Sequence, residues 1–131
     1  MDPELIGRFL VTAFFAAVFL QSALDKITDP TGNLVFLEGH FRNSPFPPST
    51  VRGLLWALTA LEGVAGILCG LGLLFGSFTC RGLNLASLGV AMAGIALVAL
   101  ITGQRFAKDY PGAAVVAAYF AVALIGLGLF R

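Results

Sequence analysis

Four apolar blocks, each long enough to cross a bilayer, set the limits on what this chain can fold into. They cover about residues 5–24, 51–75, 83–101 and 113–130. A helix needs about 20 apolar residues to span the hydrocarbon core. A β-barrel would instead use tilted strands of about ten residues with alternating polarity. These blocks are continuous and rich in Ala, Leu and Gly. The 131-residue chain is 58% hydrophobic and only 11% charged, with a mean hydropathy of +0.92. Soluble domains carry roughly a quarter charged residues, and a soluble fold this small has no interior for so much apolar surface. The surplus must face lipid. The expected fold is an all-α membrane protein: a four-transmembrane-helix up-down-up-down bundle forming a single domain over residues 1–131.

The first block opens Met1-Asp2-Pro3-Glu4, with acids where a signal peptide has a basic stretch, and no small-x-small cleavage site precedes Asp25. It reads as a retained helix. A net charge of +1 leaves no footprint for nucleic acid. Cys69 and Cys80, eleven positions apart, fit neither a CxxC pair nor a zinc spacing. Cys69 reads as a small packing residue within a span, and Cys80 as an inert thiol at a span end.

Turn residues punctuate the blocks. Asp29-Pro30-Thr31-Gly32 should stop the first helix, and Ser49 or Thr50 should cap the second after Pro45, Pro47 and Pro48. Residues 76–81 should make a tight turn and 103–112 should join the last two helices. With four spans, both termini lie at one end. The loop over 25–50 and the link near 103–111 share the other, the loop face. Within 25–50, Leu34-Val35-Phe36-Leu37 and Phe41 interleave with Glu38, His40 and Arg42. That mixture fits either a segment folded over the bundle end or on the membrane surface, or an ordered loop packing its own aromatics.

Helices pack in lipid through small residues. The second block offers Gly63, Gly66, Gly70, Gly72 and Gly76; the third offers Ala86, Gly89, Ala93 and Gly94; the fourth offers Ala113, Ala117 and Ala121.

Charges inside a bilayer need a reason. Glu62 lies about eleven residues, or roughly 16 Å, into the second block. It should meet a cation, a wet cavity or a proton. Gln21, Asp25 and Lys26 end the first helix on the loop side. Arg105, Lys108 and Asp109 follow the third, and Tyr119 lies roughly 10 Å into the fourth. A polar pocket opening at the loop face is the functional expectation, holding a proton, a quinone or another small ligand. The plain alternative is that Glu62 only joins two helices by a hydrogen bond. His40, the single histidine, reads as a surface residue, since no second histidine completes a metal site. Arg81 reads as an anchor at the start of the third helix, and Asn84, inside that helix, as an interhelical hydrogen-bonding group. Basic residues lean toward the loop face, which the positive-inside rule would place in the cytoplasm. The terminal end reads as plain.

The run Gln21-Ser-Ala-Leu-Asp-Lys26-Ile-Thr-Asp-Pro30, the block Glu62-Gly63-Val64-Ala65-Gly66 with its Leu/Gly stretch to Gly76, Arg81, and Arg105-Phe-Ala-Lys108-Asp109-Tyr-Pro-Gly112 together resemble the DoxX family. Ala23 stands where that family often has Gly. The resemblance covers nearly the whole chain. It implies a four-helix bundle in a bacterial inner membrane, associated with redox systems such as thiosulfate:quinone oxidoreductase, or with membrane assembly factors. It carries a candidate site of Lys26, Glu62, Arg81, Lys108 and Asp109. The first functional expectation is therefore a small subunit of a membrane redox complex. Its partners are lipid and other membrane subunits or further copies of itself, with quinone as the only cofactor in view. An accessory or assembly role without chemistry is the alternative, and a small-solute carrier the third. Catalysis by this chain alone is not expected, because no nucleophile-base pair, metal cluster or nucleotide loop is visible.

Overall fold

The computed structural model describes residues 2–75, 78 and 84–131. Gly76, Cys80 and Arg81, with the expected turn over 76–81, lie outside the described residues. The described residues form five helices: α1 (Pro3–Thr28), α2 (Pro30–His40), α3 (Pro48–Phe75), α4 (Leu85–Phe106) and α5 (Tyr110–Gly128). Four of them, all but α2, are long and apolar enough to cross a membrane.

Caps decide where each helix begins. Asp2 accepts the Glu4 N–H ahead of Pro3. Asp29 ends α1 through its own N–H to the Asp25 carbonyl, and its carboxylate then accepts the Gly32 N–H to start α2. Pro30 at the head of α2 has no N–H to lose there. So Asp29-Pro30 does stop the first helix, but it starts another at once. α3 begins at Pro48, ahead of both Ser49 and Thr50. Asn84 is not inside a helix: it caps α4 in a capping box, exchanging hydrogen bonds of 2.9 Å with Ser87. Asp109 caps α5 by accepting the Gly112 N–H. The link before it is only 107–109, much shorter than 103–112, because Pro111 sits in the first turn of α5 and Gly103 still belongs to α4. Lys108 closes this tight link with φ 60°, a conformation uncommon outside glycine.

The spanning helices form a closed ring in the order α1, α3, α4, α5, with α3 and α5 on opposite corners. Phe15, Phe19, Leu97, Val90 and Cys69 fill the centre. Three backbone approaches set the spacing. A Cβ at Gly66 would lie 2.8 Å from the Leu20 nitrogen, one at Gly72 would lie 2.8 Å from the Ala86 Cα, and one at Gly89 would lie 2.7 Å from the Cys69 nitrogen. Gly63 leaves room for Ala23, and Gly70 meets the Leu20 side chain. On α4, Ala86, Gly89, Ala93 and Gly94 are all buried, and Gly89 packs on Cys69. On α5 the inward residues are Ala113, Val116, Ala123 and Gly126. Ala117 and Ala121 face outward instead, because the bundle selects a different stripe from the one the alanine spacing marks.

The terminal end is not plain. Arg8 is 3% exposed, and its guanidinium donates to the Leu129 and Phe78 carbonyls, reaches Glu4 at 3.4 Å and lies over the Phe130 ring. At Leu129, the C-cap of α5, the cation satisfies a carbonyl that a helix C-terminus leaves open. It also joins the start of α1 to the end of α5.

At the opposite end the helices are staggered. Ser22 meets Glu62. Only six residues of α1 remain beyond Ser22, about 9 Å, while fourteen residues of α3 precede Glu62, about 21 Å. α1 therefore stops roughly 12 Å short. α2 packs against α1 and α3 at this end. The segment over 25–50 is thus neither fully loop nor fully surface helix. It is a short helix over the bundle end, followed by an aromatic chain in which His40 meets Phe41, Phe41 meets Phe46, and Phe46 meets Phe106.

Candidate functional site

Glu62 is 2% exposed and sits at the middle of α3. Lys26, on the last turn of α1, places its ammonium 2.9 Å from Glu62 Oε2. Ser22, one turn earlier on the same face, donates its hydroxyl to that carboxylate oxygen at 2.6 Å and accepts from Lys26 Nζ at 2.7 Å. The three groups close a triangle in which each satisfies the others. Positions i and i+4 share a helix face, so the Ser22–Lys26 spacing is what lets one helix present a hydroxyl and a cation to the same acid. The Lys26 stem crosses the apolar wall while its head stays at the acid, as long basic side chains do.

Beside this triad is a cavity of about 330 Å³, within the size range of small-molecule sites. Its wall is chiefly apolar: Phe36, Leu37, Leu58, Leu61, Ala99 and Leu100. Lys26 marks its inner end. At the outer end His40 Nε2 lies 2.6 Å from Gln104 Oε1 and 3.8 Å from Asp109 Oδ2, and all three residues line the cavity. Phe36 stacks on the His40 ring and holds its plane. Asp109 is fixed by its capping role. The cavity exists because α1 stops short and α2 covers the gap, so that helices α2, α3 and α4 supply its walls.

The candidate residues divide accordingly. Lys26 and Glu62 come together, and Asp109 joins them across the cavity. Gln21 does not: it precedes Ser22 by about 100° of helical rotation and is exposed on the outer flank of α1, as is Asp25. Arg105 is exposed and stacks on the Tyr110 ring at 4.8 Å, and Lys108 is exposed at the α4–α5 turn. Tyr119 packs edge-on against Phe14 of α1. It sits on α5, which among the described residues makes no contact with α3, so it cannot reach Glu62. His40 is a cavity residue and not a free surface group. The sequence expectation does not include Ser22, His40 or Gln104 in the site, and the structure adds all three. Ser22 lies on the stripe that the buried Phe15, Phe19 and Ala23 mark in the structure, and no local signal separates it from Gln21 beside it. Nothing local could pair His40 with Gln104, 64 positions away.

No protein-family model, no curated protein and no solved structure matches this chain.

Proposed function

We propose that this chain is a DoxX-like subunit of a redox complex in the bacterial inner membrane, and that its loop-end cavity holds the headgroup of a quinone. The observation behind this reading is an apolar cavity with hydrogen-bonding groups at opposite ends, Lys26 beside Glu62 at one and His40 with Gln104 at the other. A quinone ring has that pattern: an apolar body with carbonyl acceptors on opposite sides. Electrons would come from a partner subunit. The resemblance of the Gln21–Pro30 run and the Glu62 block to the DoxX family supports the same reading.

The test is gentle extraction followed by mass spectrometry of the bound lipids. Wild-type protein should retain quinone. Leu58→Trp, which fills the cavity, should lower retention about tenfold, the effect of roughly 1.4 kcal/mol, without lowering thermal stability. Absence of quinone from the wild type, or equal retention by the filled variant, would sink the proposal.

A second reading has its own observation. The Ser22–Lys26–Glu62 triangle ties α1 to α3, which an accessory protein without chemistry would also need. In that case deletion lowers the abundance of a partner complex, and cavity variants leave its turnover unchanged.

A further inference from the structure

The outer flank of α1 carries polar side chains at a depth where lipid offers them nothing. Gln21 and Asp25 are exposed, one turn apart, and line a shallow groove with Val18, Ser22, Leu24 and Thr28. Gln21 directly precedes Ser22, whose hydroxyl reaches Glu62 at the middle of α3. The amide therefore lies at mid-span and not at headgroup level. Within the described chain neither the Gln21 nor the Asp25 side chain makes a hydrogen bond or ion pair. Unpartnered amides and carboxylates are costly in hydrocarbon, and polar side chains in membrane helices commonly bond across helix interfaces.

We propose that this flank docks a membrane-spanning helix of a different protein, one that carries Lys or Arg opposite Asp25 and a hydrogen-bonding side chain opposite Gln21. Charge decides against a second copy. Copies inserted in the same direction meet at equal depth about a two-fold axis, so Asp25 would face Asp25. Like charges repel most where the dielectric is low. A foreign helix with a cation pairs the carboxylate and leaves the amide free to bond across the contact. The groove and the loop-end cavity share no lining residue.

Photocrosslinking in native membranes tests this. A photoreactive residue replaces Leu24, which lies in the groove, so that Gln21 and Asp25 stay intact. A second replaces Ile125, 69% exposed on α5, as a lipid-facing control. The adduct at position 24 should map to a basic, membrane-spanning segment of another protein, and position 125 should not give it. Asp25→Lys should lower its yield by about three- to tenfold, the range for one interhelical polar contact. Exchanging the partner's cation for Asp should restore it. Gln21→Leu, which suits lipid and keeps α1 helical, should also lower the yield. Adducts to a second copy or to lipid alone, or a yield unchanged by both variants, would overturn the proposal. Quinone retention, read separately, keeps this outcome distinct from that of the cavity.

Discussion

Glu62, buried, and Lys26, half-buried beside it, depend on one another. Removing one partner leaves an uncompensated charge in an apolar interior, whereas removing both leaves none. Lys26→Met or Glu62→Leu alone should each destabilise the protein by about 3–5 kcal/mol, and the double variant by less than either. Unfolding in detergent micelles measures this, and simple additivity would rule out the coupling. Ser22→Ala should cost about 1 kcal/mol, the net worth of a typical hydrogen bond. Glu62 was legible in the sequence because an acid inside an apolar run stands out. Lys26 was legible because it ends the preceding helix. The choice between Gln21 and Ser22 was not, since about 100° of rotation separates them and only the packing of α1 on α3 says which turns inward.

Among helices, Gly66, Gly72 and Gly89 matter most, because each lets a neighbouring backbone come close. Gly72→Ala sets a methyl against the α4 backbone, which cannot yield as a flexible side chain would. It should lower stability by about 1–3 kcal/mol, the usual cost of overpacking. Gly53→Ala, where an added Cβ meets nothing within 4 Å, should be neutral or stabilising by up to about 1 kcal/mol through helix propensity. Paired melting curves separate the two. The glycine-rich run in α3 marked it as a packing helix, but which glycine faces which neighbour depended on helical phase. The alanines of α5 show the same limit: 113, 117 and 121 have a packing spacing, yet only Ala113 is buried.

Across the whole molecule, burial is uneven. α2 has no buried residue, while α4 buries eight. Amide exchange should therefore be faster in α2 than in the centre of α4, since segments with few buried contacts open first. Hydrogen–deuterium exchange of the protein in lipid nanodiscs reads this directly, and equal protection would show that α2 is held by more than its contacts here. The uneven burial also explains where a cavity can form. A uniform bundle would have closed at the loop end, but a first span ending early leaves a gap that a short helix covers without filling.

The sequence by itself determined four apolar spans, their alternation and the presence of an acid at mid-depth. These follow from local hydrophobicity and helix length, which need no knowledge of neighbours. Tertiary structure decided the stagger of α1 against α3, the inward turn of Ser22 and Lys26, the meeting of His40 with Gln104, and the burial of Arg8 between helix ends. Each depends on how far one helix slides and turns against another. That is set by backbone approaches at Gly66, Gly72 and Gly89, between residues far apart in the chain.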